Sequence, residues 1–488
     1  MDQQWLMLVE ATGIQPYLFG SNQLAQNIGA SELVRQATED WVHEFTQEAK
    51  IVYAGGGNAM LIFDSEGEAD AFARKLTRRA LEQARGLDLV VKRKPFDPAG
   101  DSLADVHQEL RKELARRKRD RHLSTPLAGL GVTAACVYTG APAVDLNDEG
   151  QLISVEVQHK RAVKVKNESK DRLKEQLPQV ADHGYDFVYD FDQFGARGES
   201  SYLAVIHTDG NRIGERIKAI GQQYARPEQN EQYRQALADF SQSVENAAYL
   251  ALNATVDALL DAVVVEHSPE GERRSIGKVP LRRRDHSGPW LLPFRPIVFG
   301  GDDVTFVCEG RLGLAVAAKY LQVFSQQILS DGEPAYCRGG VAVVKSHYPF
   351  SRAYDLAEAL CASAKWYINE ANVSGRLTAM DWHFAVSGLV LPIKAVRRRE
   401  YTVPTGNLLM RPLRLNPPDG DWRSWRTFTA LLDGFDRAPW AGRRSKIKAL
   451  RDALRGGREA TQHFLTLHGL DLPEIPGEPE LVASGWHG

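Results

Sequence analysis

Residues 297–307 read IVFGGDDVTFV. Two runs rich in β-branched and aromatic residues flank Gly300, Gly301, Asp302 and Asp303, a pattern that predicts strand, turn, strand. Two glycines permit the positive φ that a tight hairpin needs. Adjacent residues on a regular strand face opposite sides of a sheet. Asp302 and Asp303 would then be split, but a tight turn relaxes this rule. At least one carboxylate is expected at the tip of the hairpin.

Working outward, the chain states a similar pattern twice. The first copy runs from WLMLVE (5–10) through the helical stretch LAQNIGASELVRQATEDWVHEF to IVYAGGGNAMLIF (51–63). A helical pattern at 68–85 follows, then a strand-like GVTAACVY (131–138). The second runs from YLAVIHTDGNRIG (202–214) through a helical region at 229–264 to IVFGGDDVTFV. Helical 311–329, strand-like GGVAVVKSHYP (339–349) and helical 350–370 complete it. Each copy reads β-α-β-β-α-β, a ferredoxin-like order. The fold class expected is therefore α+β, with two ferredoxin-like domains at 1–190 and 191–400 and a C-terminal helical domain at 401–488. In the last of these, helical patterns fall at 423–435 and 443–468.

Other segments extend this plan. Residues 92–126 carry the basic run RRKRDRH, which reads first as a solvated helix face and second as a nucleic-acid contact. Residues 268–294 read as an irregular insertion. The formal net charge is −3 over 488 residues, so any basic surface is local. The four cysteines, Cys136, Cys308, Cys337 and Cys361, form no C-x-x-C pair, which argues against a zinc ribbon or a disulfide scaffold. The N-terminal sequence lacks the basic-then-apolar pattern of a signal peptide, and no apolar run is long enough to span a membrane. A cytoplasmic location without membrane association is expected.

The chemistry is concentrated in the second copy. Asp209 ends the apolar strand YLAVIH and begins DGNRIG. In a ferredoxin-like sheet the first and third strands are central neighbours, so Asp209 should converge on Asp302 and Asp303. Clustered carboxylates repel, and a divalent cation among them relieves the cost. Hard oxygen donors suit Mg²⁺ or Mn²⁺. Two such ions can organise in-line phosphoryl transfer. Gly210 and Gly214 would let backbone amides approach phosphate at a helix start. Lys365, in ALCASAKWY, reads on pattern alone as a surface lysine before a triphosphate ligand. His207 alternates with apolar positions and reads as a packing histidine. The first copy has Gly55-Gly56-Gly57-Asn58 where the second has its aspartates, and Glu10 where the second has Asp209. It is expected to be catalytically silent while retaining room for a nucleotide, with a hydroxyl and amides near Ser31.

TDGNRIG (208–214), FGGDD (299–303) and GGVAVVKSHYPFSRAYDLAEALCASAK (339–365) together resemble the large palm-domain subunit of type III CRISPR effectors, the cyclic oligoadenylate synthases. GIQPYLFGSNQLAQNIGASELV (13–34) is similar to that family's first palm, including its Gly-x-Ser near Ser31. The resemblance covers most of 5–390. It implies that two ATP molecules bind between the palms, that a 3′-hydroxyl attacks an α-phosphate, and that pyrophosphate leaves. It implies metal binding and catalysis by Asp209, Asp302 and Asp303 with two Mg²⁺ or Mn²⁺ ions. Nucleotide binding would fall to Gly210, Asn211, Gly214, Gly300, Gly301, Lys365 and Ser31. The turn is also similar to that of GGDEF cyclases, with Asp303 and Val304 in place of Glu and Phe.

The departures define a reduced member. The chain opens on palm-like sequence, and none of its 13 histidines precedes an aspartate, so no HD nuclease is expected. The paired cysteines of the inter-palm zinc module are missing. Expected partners are nucleoside triphosphates, with RNA, other CRISPR-type effector subunits or a second copy of the chain as further options. The rival from another class is a non-catalytic scaffold that binds RNA or protein. A templated polymerase is a third reading, without an evident thumb or fingers.

Overall fold

The structure is a computed structural model that describes residues 3–474, apart from 48–49, 121–130, 195–200, 270, 286, 371–374, 386–391, 405 and 418–420. The first unit is built from β1 (Gln4–Thr12), α1 (Leu24–Thr38), β2 (Ile51–Gly55), β3 (Asn58–Phe63), α2 (Glu66–Gln83) and β4 (Asp88–Phe96). Its four strands lie in the order β2-β3-β1-β4, the ferredoxin-like arrangement. Ser65 caps α2 by accepting a hydrogen bond from the Glu68 amide, and Ser102 caps α3 (Leu103–Arg119) in the same way through Asp105.

The fourth strand corrects the sequence reading. It is β4, not GVTAACVY, which contributes only an isolated bridge between Ala135 and Pro142. β4 was obscured by its charges, Lys92, Arg93 and Lys94. It is an edge strand whose long side chains reach over the flanking helices. Lys94 pairs with Glu109 at 2.6 Å, and Arg93 with Glu66 at 2.7 Å. Their aliphatic stems cover apolar surface while their charged ends stay wet. Of the basic run, Arg116–Arg119 close α3 with Asp120 as its C-cap, and Arg121 and His122 lie outside the described residues.

The second unit repeats the order with β5 (Tyr202–Gly210), α4 (Ile213–Gln223), α5 (Asn230–Asp261), β6 (Phe294–Val298), β7 (Val304–Glu309), α6 (Gly313–Gln326), β8 (Cys337–Lys345) and α7 (Phe350–Glu370). The strands lie β6-β7-β5-β8, continued by β9 (Ala379–Ala385) parallel to β8 and by β10 (Leu413–Arg414). Side chains of β5 divide by parity. Ala204 and Ile206 share a core with Tyr320 and Phe324 of α6, whereas Leu203 and Val205 share one with Phe350 and Tyr354 of α7. α5 buries Leu237, Phe240, Val244, Ala248, Ala251 and Leu252, an apolar stripe at helical spacing, in the first of these cores. That core also contains Leu6, Leu8 and Met60 of the first unit, so the two halves are joined by continuous apolar packing.

Two further sequence readings are revised. The segment at 268–294 is not irregular. Val263–Ser268 and Gly271–Ile276 form a hairpin, and Trp290–Leu292 pairs with Tyr185–Phe187 and Arg282–Arg283. The 443–468 pattern is two helices, Arg444–Arg455 and Arg458–His468, separated by Gly456 and Gly457. They pack around Trp440, Leu450, Leu465 and Leu470. No helix among the described residues is long and apolar enough to cross a membrane.

Candidate active site at the facing glycine turns

The hairpin IVFGGDDVTFV forms as expected, with Gly300 at φ +115°, a conformation that L side chains rarely adopt. Strand register then places the three aspartates. β7 pairs with β5 so that Val304 lies opposite Thr208, which sets Asp303 beside Asp209. In the first unit, Asn58 lies opposite Glu10. The registers therefore equate Asn58 with Asp303 and Glu10 with Asp209, the correspondence read from sequence. Glu10 is engaged by Lys118 in an ion pair.

The aspartates do not share one face. Asp302 packs against Gly210: a Cβ built on Gly210 would lie 2.8 Å from the Asp302 Cβ and 2.9 Å from Cγ1 of Ile213. The glycine is needed here to admit a carboxylate, a different reason from the approach of backbone amides to phosphate. Asp303 instead points to His207 on the other side, with 3.3 Å between Oδ1 and Nδ1. His207 is buried and packs edge-on against Tyr354 at 5.4 Å. It is the packing histidine expected, and it is also a partner of Asp303, which its position in an apolar strand did not reveal.

The electrostatics follow from this crowding. Asp302 is pushed up to about 7, first by burial and then by the charges of Asp209 and Asp303. Burial also raises Asp209, with Asp303 adding to it, while Arg338 most strongly, then His207 and Lys365, pull it down. Burial alone would lower His207, but the carboxylates of Asp303, Asp209 and Glu358 together outweigh it and the net shift is upward. Three hard-oxygen donors under mutual repulsion fit a divalent cation chemically. Among the described residues no three His, Cys, Asp or Glu side chains are already gathered into one coordination shell. The alternation of Asp302 and Asp303 across the sheet edge explains why.

Arg338 is the site residue that the sequence reading missed. It sits in β8 directly opposite Asp209. Its Nη1 donates to the Gly210 carbonyl and to Oδ1 of Asn211, both at 2.8 Å, and its Nη2 binds Oδ2 of Asp209. The signal available was an arginine inside an otherwise apolar strand, CRGGVAVV. Asn211 is buried, and its amide group donates to the Leu377 carbonyl at 2.7 Å, so both polar ends of its side chain are committed within the protein. Gly214 opens α4, where an added Cβ would meet only the Arg111 guanidinium at 4.0 Å. Lys365 is exposed on α7, close enough for its charge to act on Asp209. Ser31 is buried in the middle of α1, where its amide belongs to the helix, so the free amides expected near it are not there.

The two glycine turns face each other. A Cβ built on Gly56 would lie 3.8 Å from the Gly300 carbonyl oxygen, and one built on Gly301 would lie 3.9 Å from the Gly56 Cα. Beside them is a cavity of about 350 Å³ lined from both units, by Glu10 and Tyr53 on one side, Gly300, Gly301 and Asp302 on the other, and Arg111 and Phe240 between. Its size and mixed lining are those of a small-molecule site.

The chain matches no family model and no curated protein sequence. Among solved structures it is similar to a chain of the Csm1-Csm4 cassette in complex with cA4, with TM-score 0.52 and 18% identity, over 99% of this chain and 66% of that one. It is likewise similar to a chain of the apo Csm1-Csm4 cassette, with TM-score 0.51 and 16% identity, over 96% and 65%. The chain thus spans about two thirds of the length of each. At these identities the likeness is one of fold.

Proposed function

We propose that this protein is a metal-dependent nucleotidyltransferase of the cyclase type, which joins ATP into a cyclic oligoadenylate-like product with release of pyrophosphate. The observation that carries the reading is the placement of a half-buried, charge-crowded Asp302 on the wall of a cavity shared by two facing glycine turns. The fold likeness to a cassette crystallised with cA4 supports it. Asp209, Asp302 and Asp303 would hold Mg²⁺ or Mn²⁺, which when bound lowers the pKa of an attacking hydroxyl and neutralises phosphate charge. The chain's own residues do the remaining work. The paired turns leave room for a nucleotide where side chains would block it. Lys365 presents a cation to the triphosphate from the α7 side. His207 holds the Asp303 carboxylate by one oxygen and limits its rotation. The first unit, with Asn58 in place of Asp303, supplies a wall and no second set of carboxylates. Effector subunits or RNA of a type III CRISPR complex, or a second copy of the chain, are the partners this reading suggests.

The test is incubation of the purified protein with labelled nucleoside triphosphates and Mg²⁺ or Mn²⁺, with products read by mass spectrometry. Wild type should release pyrophosphate and form a cyclic product, and Asp302→Ala with Asp303→Ala should form none. Equal activity in the double variant would refute the assignment of the carboxylates. One observation favours the scaffold alternative: the Arg338 guanidinium already pairs with one oxygen of Asp209 without a metal. That reading gains if no nucleotide is consumed even with candidate RNA activators present.

A further inference from the structure

We infer that Arg338 is a positioning residue for cation binding, fixing Asp209 by one carboxylate oxygen so that the other is presented to a divalent ion. This rests on the metal-dependent reading above. Two arginine–carboxylate pairs have their carboxylates in the same sheet, and they differ in how those carboxylates are held. In the first, Asp381 of β9 is closed completely. Arg397 donates to both of its oxygens at 2.6 Å, the Trp382 amide adds a third hydrogen bond at 2.8 Å, and the side chain has no exposure. Nothing remains to bind. This is how a purely structural pair is satisfied when it is buried.

Asp209 is held differently. Arg338 engages only Oδ2, and among the described residues no hydrogen bond reaches Oδ1. The side chain is 32% exposed, at the strand end beside Asp303. Arg338 does not depend on Asp209 for its own position. Its other contacts, the Gly210 carbonyl and Oδ1 of Asn211, anchor it to the loop that follows β5, and Asn211 is tied in turn to Tyr336 and Leu377. The guanidinium is therefore a fixed post, planar and rigid in its donor geometry. A carboxylate gripped by such a post keeps one rotamer, whereas an ungripped one at a strand end samples several. Metal-ligating carboxylates are usually held by an outer hydrogen bond of this kind, and its loss typically costs about 10–100-fold in metal affinity.

The opposite expectation is just as definite. If Arg338 acted only as a competing positive charge, its removal would tighten cation binding. Mn²⁺ binding to the full chain, followed by electron paramagnetic resonance without nucleotide, separates the two. Arg338→Met should weaken Mn²⁺ binding by about 10–100-fold. Arg338→Lys keeps the charge but not the three-way grip, and should recover only part of the loss. Arg397→Met serves as the comparison, losing thermal stability with Mn²⁺ affinity unchanged. Unchanged or tighter Mn²⁺ binding in folded Arg338→Met overturns the inference, as does full recovery by Arg338→Lys. If Arg338→Met does not fold, Arg338→Lys decides alone: weaker binding supports the geometric role and wild-type binding overturns it. Failure of the underlying reading looks different. In that case wild type and the Asp302→Ala, Asp303→Ala double variant bind Mn²⁺ equally.

Discussion

Replacing Gly210 with alanine leaves every carboxylate in place and disturbs only their spacing. The added methyl would lie 2.8 Å from the Asp302 Cβ, 2.9 Å from Cγ1 of Ile213 and 3.2 Å from Oδ2 of Asp302. Ordinary carbon–carbon contact begins near 3.4 Å, so Asp302, Ile213 or the strand end must give way by roughly 0.6 Å. Overpacking of this kind costs about 1–3 kcal/mol of stability. Catalytic geometry is less forgiving, since misplacement by about 1 Å can cost on the order of a hundredfold in rate. Gly210→Ala should therefore remain folded and lose about 10–100-fold in pyrophosphate release. Paired thermal melts and steady-state turnover measure the two effects. Gly67→Ala is the control, because a Cβ there meets nothing within 4 Å in the first turn of α2. It should be stabilising by about 0.4–1 kcal/mol and leave turnover unchanged. A folded Gly210→Ala protein with wild-type turnover would show that Asp302 is not at the reacting centre.

Three further outcomes are expected. Gly340→Ala should unfold the second unit or lower its melting temperature sharply, because its Cβ would fall 2.0 Å from the Ala357 carbonyl oxygen and 2.4 Å from the Cys361 nitrogen of α7; a normal melt would mean that the helix is not seated on β8. Lys365→Met should raise the KM for ATP with a smaller effect on stability, by an amount equivalent to about 1.5–3 kcal/mol for a charged hydrogen bond, and an unchanged KM returns the residue to a surface lysine. His107 is buried against Tyr233, with 2.8 Å between Nδ1 and the phenolic oxygen, and burial first, then Arg111, lowers its pKa to about 3. The unfolded chain takes up this proton near pH 6.5 and the folded protein does not, so stability falls as the pH drops below that value, by about 1.4 kcal/mol per unit until about pH 3. Denaturant titrations at pH 7 and pH 5 should show a loss of stability that is smaller in His107→Gln, and equal losses in the two proteins refute the assignment.

Much of the second unit was legible because its strands are central. β5, β7 and β8 are buried on both faces and read as continuous apolar runs, and the glycine-aspartate turn interrupts them at a fixed place. The edge strand β4 was not legible, since a strand open on one side tolerates Lys92, Arg93 and Lys94, and their partners lie on helices elsewhere in the chain. The same limit hid Arg338. Its meaning lies in its register with Asp209, 129 positions away, and only the pairing of β8 with β5 creates that relationship. A second reason for Gly210 was not legible, because the Asp302 side chain it makes room for arrives from a turn far along the chain. Ser31 was expected to offer a hydroxyl and amides, but it lies inside the helix Leu24–Thr38, where the amides are bonded within the helix.

The facing turns also make the cavity common property. One part of its wall ends before residue 60 and another begins after residue 299, and neither unit encloses the space by itself. A fragment carrying only the second unit would keep Asp209, Asp302, Asp303 and Arg338, yet it would hold them on an open surface. The unit without the aspartate pair is therefore not free to drift. A Cβ added at Gly56 would only reach ordinary contact with the Gly300 carbonyl oxygen, at 3.8 Å, so the turn of the first unit lies directly against the turn that carries the aspartates.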